Sequence, residues 1–372
     1  MKKNIKKLIK STLIVLILLQ PLQVRALRGN IQLNSAQSVW NRYFTDEYGN
    51  ALTGWIYNEG WYKLDEFGRL ITGWVHYNDE WYYLNANGLM QTGAVMFGNY
   101  WVTFRQNGIW DDSLNVMHNE IEEKLLELAQ GREGIGISYL CLVTGRHITV
   151  NADREFFGAS IIKLPTHMLI AEAVYEGRLS WNQVLRVEPS DWLGGSGVLQ
   201  DRIQIGTLMT LEDVMRYSIV YSDNIAHRML TRTLIPGFVH ERIGLDNSYM
   251  HLTTLVYERF LRGATPSERM SLTPNQAMEF LRVLYVGRYD IEGFERIIHS
   301  MRRSSWNNRF ATNLGKEYVA HTPGWTDPFE HDSGIFFTDN PFILVVMTED
   351  TGGIPFLSEV ADEILKINLN VQ

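Results

Sequence analysis

The stretch Phe157-Gly158-Ala159-Ser160-Ile161-Ile162-Lys163 places a hydroxyl and an amine three residues apart. On a helix that spacing puts both side chains on one face. Residues Ser160–Glu176 read as a helix, and the pair falls in its first turn, where Pro165 is tolerated. The positive end of a helix favours an ionised hydroxyl placed there. A lysine partly removed from water can accept the serine proton. Taken alone, an S-x-x-K is a weak signal and most often a surface accident.

Two further motifs lie downstream. Ser222-Asp223-Asn224 falls on a turn between two predicted helices, 62 residues past Ser160. Its Ser can relay a proton and its Asn amide can meet a substrate amide. By itself such a triplet is usually just a helix N-cap. Val319-Ala320-His321-Thr322-Pro323-Gly324 follows on a predicted strand leading into a turn.

The surrounding elements run from both ends of the chain. Asn115–Gln130 has helical periodicity. GIGISYLCLVTG and RHITVNA then alternate like strands. Leu211–Val220 reads as another helix. YVAHT, GIFFTD and FILVVMTED read as three strands near the end, before an amphipathic helix at Leu357–Ile367. Strands at both ends around a helical middle predict an α+β fold with an antiparallel sheet.

In this order the three motifs resemble those of the class A β-lactamase and penicillin-binding serine hydrolases. The resemblance covers most of residues 115–370. It takes in Phe157-Gly158-Ala159, Gly195-Ser196-Gly197-Val198-Leu199-Gln200 and Leu272-Thr273-Pro274. It implies a β-lactamase/transpeptidase-like fold over 112–372, with a sheet flanked by helices and a helical subdomain. It implies Ser160 as nucleophile, Lys163 as its base, Ser222 as relay and Asn224 as a substrate contact. The oxyanion hole would be the N–H of Ser160 and that of the residue after Gly324. The substrate class would be β-lactams or peptidoglycan stem peptides.

Two departures qualify this. The family's third motif is K-T-G, and here Thr322 and Pro323 stand in place of the Lys and Thr. The cation that grips a substrate carboxylate is then missing. His321 is the nearby replacement in a substrate-binding trio with Thr322 and Gly324, although histidine is mostly neutral at pH 7. The family's deacylating Glu has its nearest counterpart in Glu258, where Arg262 stands in place of an expected Asn.

Many of the Trp and Tyr residues crowd between Trp40 and Trp110. Gly49, Gly68, Gly88 and Gly108 recur at steps of 19, 20 and 20, and Trp61, Trp81 and Trp101 at steps of 20. A period this regular marks a repeat array over 40–111. Each unit reads as a short β-hairpin, with Phe67-Gly68, Asn87-Gly88 and Asn107-Gly108 supplying turns. One hairpin cannot bury its aromatics alone, so the units should stack as a small solenoid. The register resembles the choline-binding and glucan-binding repeats of Gram-positive surface proteins. It implies an aromatic box for a quaternary ammonium or a sugar ring, from Trp55, Trp61 and Tyr83, then Trp74 and Trp81. The blander reading is that these rings only glue the hairpins together. The implied partner is the bacterial cell wall, through choline-bearing teichoic acid or glycan.

The N-terminus carries Lys2, Lys3, Lys6, Lys7 and Lys10 ahead of the apolar run Thr12–Leu19. It reads as a signal peptide over 1–26, cleaved after Ala26, with a linker over 27–39. The run is well short of the roughly 20 residues a spanning helix needs, so no retained membrane span is expected. Cleavage removes six basic and no acidic residues, taking the formal charge from −8 to −14. Such acidity disfavours nucleic acid as a partner. Cys141 is the single cysteine and reads as a buried strand residue, with no disulfide. No H-E-x-x-H and no metal-spaced His cluster is present, so neither metal nor cofactor is expected. His227, His240, His251 and His331 read as surface or helix residues.

Two functions remain open. One is a secreted, wall-associated serine hydrolase. The other is a catalytically impaired hydrolase domain in an adhesin-like surface protein, which the Thr322-Pro323 text favours. A purely structural surface protein ranks last, because both S-x-x-K and the Ser-Asp-Asn triplet would then be coincidence.

Overall fold

Asn78 and Asp79 both adopt positive φ, as a tight two-residue β-turn requires. The computed structural model describes residues 44, 46, 48, 50–97, 100–234, 270–312, 315–350 and 352–370. The chain divides between Asn115 and Val116 into two compact units.

In the first unit, β1 (Gly54–Tyr57) pairs with β2 (Trp61–Leu64), β3 (Gly73–Tyr77) with β4 (Glu80–Leu84), and β5 (Gly93–Phe97) with β6 (Tyr100–Phe104), all antiparallel. The hairpin tip of the second pair is Asn78-Asp79. Asn87-Gly88, expected there, instead follows β4 and folds the chain back to the Leu84–Met90 bridge. The Asn85 side chain shapes that turn by accepting from Asn87 N and Leu89 N. Successive units are joined by backbone bonds at the repeat period: Met90 N donates to Trp61 O and Trp110 N to Trp81 O. Leu64 packs with Phe44 and Ile56, and Leu84 with Val75 and Tyr82. The array is therefore a stack of hairpins with a narrow core.

The second unit is the α+β fold expected. Helix α1 (Asp112–Ala129) leads into β7 (Ile135–Cys141) and β8 (His147–Val150). The short β9 (Phe156–Phe157) and a 3₁₀ turn (Ala159–Ile162) precede α2 (Lys163–Tyr175). A ribbon of β10 (Val184–Arg186) and β11 (Leu208–Thr210) is followed by α3 (Leu211–Val220) and α4 (Asn224–Thr233). Then come β12 (Ser271–Leu272), α5 (Pro274–Gly287), α6 (Glu292–Met301) and the short α7 (Gly315–Tyr318). Strands β13 (Val319–Thr326), β14 (Phe329–Phe336) and β15 (Phe342–Glu349) and helix α8 (Gly353–Leu369) close the chain.

The five-stranded sheet has the order β13-β14-β15-β7-β8, all antiparallel, so strands from both ends meet at β15–β7. One face buries Ile343, Val345 and Met347 against the helices of the middle segment, where Leu169, Phe280 and Phe294 are fully buried. Helix α8 packs on β14 and β15. Cys141 is buried on β7 as a free thiol. Strand β13 is an edge, the one place where Pro323 is tolerated in a sheet. It runs on through Gly324 to Thr326 and does not turn after Thr322 as the sequence suggested. No described helix is long and apolar enough to cross a membrane. Residues 1–43 and Glu258 lie outside the described residues.

Candidate active site

Ser160 sits in the 3₁₀ turn just ahead of α2, and Lys163 is the first residue of that helix. Ala159 takes a positive φ of 44°, which aims the turn into a cleft. Behind it, β9 pairs with β12, and Gly158 N donates to Met270 O. His331 on β14 fixes the turn from the other side. Its Nδ1 accepts from Thr348 N at 3.1 Å, so Nε2 carries the proton and donates to Phe157 O at 2.9 Å. Burial pushes His331 down to about 4, so it stays neutral. The sequence reading of His331 as a surface or helix residue was wrong.

Lys163 is 6% exposed. Its Nζ reaches Ser222 O at 2.6 Å, Ser222 Oγ at 3.2 Å and Asn224 Oδ1 at 2.8 Å. Among the described residues, none of its hydrogen bonds goes to Ser160. Burial lowers it to about 7, against the opposing pull of the Asp223 carboxylate. Its Nζ donates to all three oxygens, the Ser222 carbonyl, the Ser222 hydroxyl and the Asn224 amide oxygen, and loss of its proton frees a lone pair for proton transfer.

Ser222, with φ 50°, forms the break between α3 and α4. Asp223 is the residue that sequence reasoning left without a role. Its Oδ1 caps α4 by accepting from Ala226 N at 3.0 Å. Its Oδ2 accepts from Val198 N at 2.7 Å and Leu199 N at 2.8 Å. One buried carboxylate thus holds the Gly195–Gln200 segment to the triplet. Gly197 is required there, because a Cβ would stand 2.1 Å from Asp223 Oδ2 at a φ of 120°. Asn224 is held at both ends of its amide, by Lys163 and by Gly194 O at 3.1 Å. The pairing of glycines with an N-capping Asp was the signal available in the sequence.

Ser160, Lys163 and Asn224 line one cleft of about 870 Å³, together with Trp306, Trp325 and Thr326. Gly324 makes the junction between strand and turn. A Cβ there would lie 3.0 Å from Gly158 O and 3.3 Å from Ala159 Cβ. Residues alternate along a strand, so Ala320, Thr322 and Gly324 share the face toward Ser160.

His321 stands on the other face. It is 2% exposed and bonds through Nδ1 to Asp332 Oδ2 at 2.8 Å, where Phe310 N also donates. It does not line the cleft and cannot take over the role of the missing lysine. His227, read in the sequence as a surface or helix residue, does lie on helix α4 and also lines the cleft. Its ring packs 6.1 Å from that of buried His167, whose Nε2 meets Ser218 Oγ at 2.8 Å. Burial holds both imidazoles well below their ordinary range, His167 at about 3.

In the hairpin array the expected boxes regroup. Trp74, Trp81 and Tyr83 do come together, with Trp74 ring centroids 6.3 Å and 5.4 Å from the other two. Phe97 at 5.8 Å and Trp110 at 6.0 Å extend the cluster. Trp74 is 45% and Trp81 43% exposed, so this face is open. Trp55 and Trp61 stand apart from it. Trp55 packs on Tyr77 and Tyr82, and Trp61 on Tyr57. The reason is register: Tyr83 lies opposite Trp74, whereas Lys63 lies opposite Trp55. Lys63 Nζ sits 3.8 Å over the Tyr77 ring and 5.0 Å over Trp55. That aromatic pair is already occupied by the chain's own cation.

Comparison with known proteins agrees with both units. A family model described as a putative cell wall binding repeat matches residues 72–90. Among curated proteins, beta-lactamase VEB-1 of Pseudomonas aeruginosa is 26% identical over 88 residues, which is 23% of this chain and 29% of that protein. The chain thus matches less than a third of that relative's length. A beta-lactamase from Chitinophaga pinensis superposes with a TM-score of 0.55 at 20% identity, covering 68% of this chain and 99% of that one. PBP-A superposes with a TM-score of 0.53 at 21% identity, covering 67% and 94%. At such identities the likeness speaks for the fold. The model for the beta-lactamase enzyme family matches residues 119–367, and with that span this chain belongs to the beta-lactamase enzyme family.

Proposed function

We propose that the chain is a secreted, wall-associated serine acyl-transfer enzyme acting through Ser160. The observation that carries this reading is the buried amine of Lys163, held near neutrality and bonded to Ser222 and Asn224 at the cleft that Ser160 lines. Ser160 Oγ attacks the carbonyl carbon and its proton passes to the Lys163–Ser222 pair. The tetrahedral oxyanion is met by the N–H groups of Ser160 and Trp325, the residue after Gly324. The leaving nitrogen or oxygen takes the relayed proton as its bond to carbon breaks. Water then releases the acyl group. A PBP-A mutant of the same fold has been captured as an acyl-enzyme complex with penicillin G, which supports stem peptides or β-lactams as the substrate class. Glu258 is the proposed deacylating base. The hairpin array would hold the enzyme at the wall through the Trp74 face, on choline-bearing polymer or glycan. The acidic mature chain, the N-terminal signal-like segment and the wall repeat support this setting.

The test is intact-mass measurement after incubation with a fluorescent penicillin and, separately, p-nitrophenyl acetate, beside Ser160→Ala. A Ser160-dependent acyl adduct with either probe is expected. A second reading, an impaired domain in a wall-binding protein, is favoured by Thr322 and Pro323 and stands if neither probe marks Ser160.

A further inference from the structure

Helix α4 turns one face to the cleft. Asn224, Arg228 and Arg232 stand four residues apart on it, and all three line the cleft with Ser160. Residues at that spacing lie about 5–6 Å apart on one side of a helix. Asn224 is tied into the site by Lys163 and by Gly194 O. Arg232, two turns further on, is committed to the wall of the cleft. Its Nε and Nη2 donate to the two oxygens of buried Asp191 at 3.0 Å and 2.9 Å, and its Nη1 pairs with Glu188 at 2.9 Å.

Arg228, between them, is differently placed. It is exposed, and among the described residues it has no ion pair and donates no side-chain hydrogen bond. The one carboxylate among the described residues lining the cleft is Asp191, which Arg232 already holds. In a chain with 42 acidic and 34 basic residues, an unpaired guanidinium in a cleft is the exception, and its field draws in an external anion. Leu193, Trp306 and Trp325 line the same cleft, and their apolar surface strengthens a charge pair formed beside them. The planar fork of an arginine meets a carboxylate through two parallel N–H donors.

We propose that Arg228 is the carboxylate-binding residue of this cleft, and that it selects acyl donors with a carboxylate beyond the amide next to the scissile carbonyl. The inference rests on acyl transfer at Ser160 and names a specificity residue of that site. With the donor's amide at Asn224, the guanidinium stands one helical turn away, a span of roughly 5–6 Å that a short acidic side arm bridges. A stem peptide with an acidic acyl side meets this requirement. A substrate carboxylate is then held from α4, whereas on β13 Thr322 stands in place of a lysine. In the step itself, the Ser160 Oγ–carbon bond forms as the bond from the acyl carbon to the leaving group breaks. The serine proton ends on the leaving group through Lys163 and Ser222. Water then adds to the acyl carbon, the Oγ–carbon bond breaks and Ser160 recovers a proton. Arg228 forms and breaks no covalent bond in either half.

The test uses the full chain and two p-nitrophenyl esters, one of N-succinylglycine and one of its methyl-capped form, which differ only in the distal carboxylate. We expect kcat/KM for the charged ester to be higher by about tenfold or more, the worth of one charge-assisted hydrogen bond, with enzymatic release lost in Ser160→Ala. Arg228→Gln should bring the ratio of the two esters to within about twofold of one, as the remaining charges act only through screening solvent. Arg228→Lys should keep part of the preference, since the charge stays and the fork is lost. The readout is a ratio within one protein, so a general loss of fold or of acylation cancels. A ratio near one in the unchanged chain, or a preference that survives Arg228→Gln, overturns the inference and leaves acyl transfer intact. No Ser160-dependent release from either ester sinks acyl transfer itself, and the inference with it.

Discussion

Lys163 Nζ lies 2.6 Å from the carbonyl oxygen of Ser222, the shortest of its three bonds to the turn between α3 and α4. The amine is thereby fixed by backbone and not only by a rotatable hydroxyl. Its depressed affinity for protons sets an expected pH profile. Acylation of Ser160 should rise as pH passes through about 7, where Lys163 loses its proton, and level off above. Stopped-flow acylation from pH 5.5 to 9 checks this. Lys163→Arg, which cannot deprotonate, should show no rising limb and a loss of roughly a thousandfold, within the range for removal of a general base. A flat profile in the unchanged chain would count against Lys163 as base.

Asp223 joins two segments through three backbone N–H groups. Asp223→Ala removes a helix cap and strands two buried donors. The expected cost is about 3 kcal/mol of stability. Urea unfolding followed by far-UV circular dichroism measures it. A loss below about 0.5 kcal/mol would mean that water replaces the carboxylate at little expense.

His331 is neutral when folded, at about 4 against an ordinary 6.5. Below pH 6.5 the unfolded chain binds a proton that the folded chain refuses. Stability should therefore fall as pH drops from 6.5 toward 4. His331→Gln is expected to be less stable at pH 7 by about 1–2 kcal/mol, through loss of its two buried hydrogen bonds. It should also have a shallower acid slope, since His167 and His118 retain their own contributions. Melting temperatures across that range decide the matter, and an unchanged slope would remove His331 from the account.

Lys63 fills one pair of rings while the Trp74 face is open. Titrating tryptophan fluorescence with tetramethylammonium should give one saturable phase. Trp74→Ala should abolish that phase and Trp55→Ala should spare it. Lys63→Ala should add a second, weaker phase. Two phases in the unchanged chain would show that Lys63 yields its place to an external cation.

Much of the architecture was legible in the residues. The helix at Leu211–Val220 has the bounds read from its periodicity, and both ends of the chain contribute to the sheet as the strand patterns implied. The twenty-residue period fixed the stacking of the hairpins, yet not which rings would meet. That depended on cross-strand register, with Tyr83 opposite Trp74 and Lys63 opposite Trp55. His321 was misjudged for a similar reason: a one-residue step along a strand changes the face. Asp223 and His331 escaped notice because their partners are backbone atoms of distant segments, Val198, Leu199 and Phe157. Sequence patterns report side-chain periodicity and carry little about which carbonyl or amide a buried polar group will find.

The buried amine also writes itself into the folding equilibrium. Between about pH 7 and the ordinary lysine value of 10.5, the folded chain leaves Lys163 unprotonated while the unfolded chain does not. Unfolding in that window takes up a proton, so stability rises with pH until both states are neutral there. Mild alkalinity therefore firms the fold and frees the base together, and the enthalpy of unfolding in that range carries the ionisation heat of the surrounding buffer.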